Sequence, residues 1–187
     1  RLNKGKFLSV SVVATPEEDW SIDAVADDFA QCARWAAECG ADGVEANFSC
    51  PNVSSVDGQL FLNPTDAGIV AAKLREAIPD MPLLLKVGHI DNRETAHEFL
   101  ERVVPFINAL VMVNGVSARV RRPSGELIFE GRCRGIAGNA IRETALEQLS
   151  LFDGLIRKFE LDVKLVGVGG LGKAADVRAC LDRGCEA

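Results

Sequence analysis

No apolar run in this chain comes near the roughly 18 residues needed to cross a bilayer, and its opening residues, Arg1-Leu2-Asn3-Lys4, lack the apolar core of a signal peptide. Neither a membrane span nor a secretory leader is expected, and the reading is a cytoplasmic protein with no membrane partner. No CxxC pair occurs among the six cysteines, Cys32, Cys39, Cys50, Cys133, Cys180 and Cys185, most of which fall within helical patterns. That is unlike a zinc site or a small secreted disulfide framework, so reduced thiols and no metal are expected. Basic excess is absent too: the formal charge of −6 disfavours a phosphate-backbone partner, and no nucleic acid is expected. No low-complexity linker divides the 187 residues, and 48% hydrophobic content is enough to bury the core of one domain.

What is present is an alternation of strand-like and helix-like segments, the βα pattern of a parallel sheet. Phe7 to Ala14 is a β-rich run, and Asp27 to Cys39 reads as a helix with Phe29, Cys32, Ala33 and Ala36 on one face and Gly40 as its stop. Gly43 to Asn47 is the next strand. Asn63-Pro64 has the form of an N-cap followed by proline at the first helical position, leading into a helix whose Val70, Leu74, Ala77 and Ile78 face inward. Pro82 to Val87 is a strand, Asn92 caps a helix carrying Ala96, Phe99, Leu100 and Val103, and Ala109 to Asn114 is another strand. A long helix begins near Asn139, striped by Ala145, Leu149, Phe152, Ile156 and Phe159. Val163 to Val168 is the last strand, and Ala174, Val177 and Leu181 stripe the last helix. The intervening segment Val116 to Arg134, with Arg119, Arg121, Arg122, Arg132 and Arg134, reads as a solvated hairpin, with a lid or partner surface as the alternative.

The groups able to do chemistry, Asn47/Cys50/Asn52, Lys86, Asn114 and Gly167 to Gly170, all fall where a strand ends. This favours an α/β fold of the (β/α)8 TIM-barrel type, whose active sites lie at the C-terminal face of the strands. A doubly wound open sheet is the alternative, but Gly167-Val168-Gly169-Gly170-Leu171-Gly172 does not match the GxGxxG fingerprint and comes last, not first. Five strands do not close an eight-stranded barrel. The chain opens without Met and ends just after a helix, so the expectation is an incomplete fragment of about five βα units, one barrel domain over 1–187 truncated at both ends.

Asn47-Phe48-Ser49-Cys50-Pro51-Asn52 is the densest chemical stretch: two carboxamides, a hydroxyl and a thiol in one turn. Proline stops a central strand, so Cys50 is expected where the strand gives way to a loop. The carboxamides suit a planar ligand with alternating C=O and N–H groups, and the thiol can take a proton. A lone cysteine before a turn is ordinarily an inert core residue, and isolated asparagines are often turn caps; their concentration here points to a site. Lys86 ends an otherwise apolar strand, where a cation is costly unless it meets an anion or an electron-rich ring.

Four blocks, in matching order and spacing, resemble the dihydroorotate dehydrogenase family of FMN-dependent barrels over essentially Phe7 to Ala187. Glu45-Ala46-Asn47-Phe48-Ser49-Cys50-Pro51-Asn52 is similar to its ELNxSCPN signature, Pro82 to Val87 to its PxxxKL strand, Gly135 to Arg142 to its GLSGxAIxP block, and Leu165 to Leu171 to its IxGxGGI phosphate strand. The resemblance implies FMN as cofactor and oxidation of dihydroorotate to orotate in pyrimidine biosynthesis. It implies Cys50 as the base toward C5, with Asn47, Asn52 and Asn114 holding the pyrimidine and its carboxylate. Lys86 would meet the flavin N1/O2 edge, and Gly135, Gly138, Gly169 and Gly170 would cradle the FMN phosphate. Cysteine at position 50 matches the soluble, cytosolic branch, where the quinone-using branch has serine. A small pyrimidine substrate, and a homodimer or an electron-transfer subunit, are the expected partners. Gly115 departs from the Ser or Thr that many members carry after this asparagine. A related FMN-dependent pyrimidine or enone reductase is therefore the close alternative, and a non-redox anion-binding paralogue the distant one.

Overall fold

The computed structural model of the protein describes residues 5–17, 19–50 and 59–187. Five parallel strands form the central sheet: β1 (Ser9–Val12), β2 (Gly43–Asn47), β3 (Leu83–Val87), β4 (Ala109–Met112) and β7 (Lys164–Gly167). Two further strands, β5 (Val116–Arg119) and β6 (Cys133–Ile136), form a separate antiparallel hairpin in the connection from β4 to β7. The helices are α1 (Ile22–Glu38), α2 (Pro64–Ala77), α3 (Arg93–Val103), α4 (Arg142–Lys158) and α5 (Ala174–Leu181). None of the described helices is long and apolar enough to cross a membrane.

Strand order decides between the two α/β architectures. The sheet runs β1-β2-β3-β4-β7, which is chain order without a reversal, and each helix packs against the next. A doubly wound sheet would show a switch point with helices on both faces. Successive winding on one side is the geometry of a barrel wall.

Pairing in register gives the sheet two unlike faces. Val44, Ala46, Leu83, Leu85, Val87, Leu110, Met112 and Leu165 are buried in the core formed with the helices. Alternation along each strand places Ser11, Glu45, Asn47, Leu84, Lys86, Ala109, Val111 and Val166 on the opposite face, the interior side of a barrel. The core face is closed by Phe29, Phe99 and Phe152 from α1, α3 and α4, all fully buried. Each such side chain contributes about 1.5–3 kcal/mol by leaving water.

Helix starts are chemically specified. Asn63 Oδ1 accepts from Asp66 N–H at 3.2 Å with Pro64 at the first helical position, and Asn92 Oδ1 accepts from Thr95 N–H at 2.7 Å. Three expectations need correction. Helix α1 begins at Ile22 rather than Asp27, because Ser21 Oγ accepts from Ala24 N–H and caps it earlier. The long helix opens with a 3-10 turn over Gly138–Ile141 before α4 proper. On α5 the expected stripe faces outward: Val177 and Leu181 are exposed, while Asp176 and Cys180 turn inward. Asp176 accepts from the N–H groups of Gly172 and Lys173, and Cys180 packs where Gly167 has no side chain, so local bonding outweighs the apolar period.

Candidate active site

The C-terminal ends of β2, β3 and β4 bring the predicted polar residues together. Asn47 ends β2 and pairs in register with Lys86 of β3, so both side chains share the interior face. One further ladder bond, Phe48 N–H to Lys86 O at 2.9 Å, holds the start of the turn. Phe48 is fully buried and meets Phe29 edge to face at 5.5 Å, which pins the turn from below. Asn47 Oδ1 accepts from Ser49 N–H at 3.2 Å, an Asx turn that directs the chain out toward the half-buried Cys50. Asn52 lies outside the described residues.

Asn114 follows β4, its N–H donating to Val87 O at 2.9 Å, and its side-chain Nδ2 donates to Ser49 Oγ at 3.0 Å. A bond spanning 65 positions of sequence thus ties the end of β4 to the residue beside Cys50. Ser49 is buried and links both carboxamides, Asn47 through its N–H and Asn114 through its hydroxyl. Lys86 Nζ donates to Glu45 Oε1 at 2.7 Å, the one acceptor it has among the described residues, and Ser11 Oγ donates to the same oxygen at 2.7 Å. An ammonium carries three donors, so this leaves Lys86 with capacity toward the open interior face.

The glycine turns divide. Gly170, at φ +77°, approaches the earlier turn so closely that a Cβ there would stand 2.8 Å from Gly138 O, and Gly138 itself has φ +72°. Gly169, at φ +103°, is as tightly placed, 2.9 Å from Val113 O. These three form one backbone junction at the strand ends, and neither Gly169 nor Gly170 donates its N–H to an acceptor among the described residues. Gly135 is elsewhere: it lies inside β6 on the exposed hairpin, where a Cβ would meet nothing within 4 Å. Beside the junction, Arg142 Nη1 approaches Asp176 Oδ1 at 3.5 Å. The Gly172 N–H first, then those of Lys173 and the Arg142 charge, hold the Asp176 carboxyl below the usual carboxylate range against the opposing effect of burial.

Three contributors escaped sequence reasoning. Glu45 and Ser11 are polar residues at alternate strand positions, a signal that becomes readable only once the register sets them beside Lys86. Gln148 interrupts the apolar stripe of α4. Fully buried, it accepts from Ile90 N–H at 2.8 Å and donates to Gly88 O at 2.9 Å, fixing the loop that leaves Lys86. Among the described residues no group of three or more His, Cys, Asp or Glu could hold a metal ion.

A family model for dihydroorotate dehydrogenase matches residues 7–185. The chain belongs to the dihydroorotate dehydrogenase family. It is 29% identical over 191 residues to a dihydroorotate dehydrogenase of Dictyostelium discoideum, covering 99% of this chain and 51% of that protein. It is also 28% identical over 145 residues to the catalytic subunit of dihydroorotate dehydrogenase B (NAD(+)) of Staphylococcus carnosus, covering 77% of this chain and 45% of that protein. The chain thus spans about half the length of these curated relatives. A crystal structure of the Eimeria tenella dihydroorotate dehydrogenase, in complex with ferulenol, superposes with a TM-score of 0.75 at 13% identity, over 100% of this chain and 52% of that one. The fold is accordingly that of a (β/α)8 barrel, of which the described residues supply a five-stranded portion.

Proposed function

We propose that the complete protein is an FMN-dependent oxidoreductase that converts dihydroorotate to orotate, with this chain supplying the base, the substrate carboxamides and part of the cofactor site. The observation that carries the reading is the convergence of Asn47, Ser49 and Cys50 with Lys86 and Asn114 at three adjacent strand ends, joined by the Asn114–Ser49 bond. Family membership adds that dihydroorotate dehydrogenases are in general flavin-dependent.

The residues present fit FMN. An ammonium with spare donors faces the interior side of the wall, and a junction of left-handed glycines offers backbone N–H groups too crowded for any side chain at Gly169 or Gly170. Lys86 would hold the ring edge that becomes negative on reduction, and Gly138, Gly169 and Gly170 the phosphate, with Gly135 at more distance from them on the hairpin. The bound flavin would supply the acceptor for the hydride leaving C6 of the substrate.

Cys50, as thiolate, takes the proton from C5; the C5–H electron pair becomes the C5=C6 double bond as hydride departs. Asn47 and Asn114, held through Ser49, orient the planar ring, and Asn52 is assigned the same work from its place in the motif. The name of the Staphylococcus carnosus relative supports an electron-transfer subunit as partner, taking electrons on to NAD.

Gly115 favours one second reading. A Cβ there would lie 3.2 Å from Ile136 O, so the hairpin crowds the position where many relatives offer a hydroxyl, and the site presents one polar contact fewer to a substrate. A related pyrimidine or cyclic enone reductase fits that loss. Rapid mixing of the flavin-loaded protein with dihydroorotate, uracil and a simple cyclic enone separates the two.

The deciding variant is Cys50→Ala. It is expected to keep FMN and to bind orotate within about tenfold of wild type, while flavin reduction by dihydroorotate falls by the 10²–10⁴ typical of losing a general base. Reduction at the wild-type rate would return Cys50 to the status of a structural thiol.

A further inference from the structure

Glu45 sits directly opposite Ser11 of β1 and diagonal to Lys86 of β3, all three on the interior face. Diagonal positions on neighbouring strands lie about 7–8 Å apart, a gap that a glutamate and a lysine close together. They do so at 2.7 Å, and Ser11 Oγ approaches the same carboxylate oxygen from the other side at 2.7 Å. The carboxylate is therefore oriented by one neighbour and spent on the other.

This pair is unlike the surface pairs of the molecule. Its side chains are 20% and 18% exposed, against 43% and 64% for Lys73–Asp27. A pair this far from water brings a desolvation cost that its attraction repays only with good geometry, and apolar residues of like volume often serve stability as well or better. Stability alone gives little reason for a carboxylate and an ammonium on a barrel-interior face among Leu84, Ala109 and Val111.

We infer that Glu45 is the positioning and charge-balancing residue of Lys86. It holds the ammonium level with Asn47, and it makes the pair neutral where an unaccompanied lysine would present a full positive charge to the cofactor. The inference rests on the flavin reading above. By Coulomb's law a carboxylate behind the ammonium offsets part of the field that favours a negative ring. Glu45 therefore lowers the tendency of the bound flavin to accept electrons while fixing the place from which Lys86 acts. Removing its charge and removing its reach have different consequences.

Glu45→Gln keeps an oxygen for Lys86 and Ser11 but no charge. In the complete protein, the midpoint potential of bound FMN, measured by equilibration with a reference dye, is expected to become more positive by at least the equivalent of a tenfold change in the reduced-to-oxidised ratio, about 30 mV for a two-electron couple. Glu45→Asp keeps the charge and withdraws it from Lys86. It is expected to weaken FMN binding about tenfold, read by flavin fluorescence quenching, with a smaller effect on the potential. If either variant binds FMN with wild-type affinity and wild-type potential, Glu45 is only a structural partner and the inference fails; a loss of melting temperature alone is that same result. A complete wild-type protein that takes up no FMN removes the flavin reading itself, an outcome seen before any variant is made.

Discussion

The sheet carries a partly buried cation at each end, and the two are used in opposite ways. At the N-terminal ends of β3 and β4, Arg75 of α2 donates to the carbonyls of Phe106, Ile78, Pro79 and Met81 and to Asn108 Oδ1, at 2.8 to 3.1 Å. Asn108 Oδ1 also accepts from Leu83 N–H, so one network ties α2 to the start of both strands. At the C-terminal ends, Lys86 has Glu45 alone among the described residues. A guanidinium with each of its nitrogens already bonded to protein has little left for a ligand, whereas an ammonium with one carboxylate keeps spare donors. In a (β/α)8 wall this division separates the end that holds the fold from the end proposed to carry the chemistry.

The strongest way to break that comparison is to remove each cation. Arg75→Ala leaves several partly buried carbonyls without a donor and is expected to cost about 3 kcal/mol in urea unfolding, with FMN affinity per folded molecule unchanged. Lys86→Ala leaves the Glu45 carboxylate without its ammonium and is expected to cost about 1–2 kcal/mol, less than Arg75→Ala, while FMN binding and the rate of flavin reduction drop. Equal destabilisation by the two substitutions would show that Lys86 is also a structural cation.

A smaller effect sharpens the picture at the C-terminal strand ends. Gly170→Ala adds a Cβ at φ +77° and 2.8 Å from Gly138 O, whereas Gly125, at φ +88° on the hairpin turn, has nothing within 4 Å. The first is expected to cost about 2–3 kcal/mol and to weaken phosphate binding, the second about 1 kcal/mol with FMN affinity intact. Isothermal titration with FMN reads the difference; equal affinities in the two variants would detach the glycine junction from the cofactor.

The mildest effect concerns pH. Asp176 is depressed in the folded protein, chiefly by the Gly172 N–H, so its contribution is present above the unfolded carboxyl value of about 4 and is lost as pH falls through the lower folded value. Asp176→Asn is expected to be less stable than wild type at pH 7, with the gap closing below about pH 4. A gap of constant size across that range would mean that the carboxylate charge is not what caps α5. Alkaline conditions act elsewhere: burial pushes the Cys185 thiol up to about 11, so wild-type stability is expected to fall as pH rises above about 8.5.

Much of the wall was legible in the sequence, because its signals are local. Asn63-Pro64 and Asn92 mark helix starts through bonds made within three residues, and Ala96, Phe99, Leu100 and Val103 fall on a single buried face at helical spacing. The arginine-rich hairpin was readable from its polarity, and its five arginines are all exposed. Asn47, Lys86 and Asn114 were placed at strand ends by pattern alone. Reading failed on α5, where capping by Asp176 turned the helix against its own apolar period, and on the first turns of α1.

By itself, then, the sequence determined which segments become strands and helices, where the polar groups leave the strands, and the family to which the chain belongs, since all of these are written in residue type and short spacing. Tertiary structure alone decided which residues meet. Ser11, Glu45 and Lys86 share an oxygen only because the parallel register sets position 11 against 45 and position 47 against 86. Asn114 reaches Ser49 across 65 residues for the same reason. A shift of one residue in any of these strands would turn those side chains into the apolar core, so the partnership belongs to the register and not to any one segment.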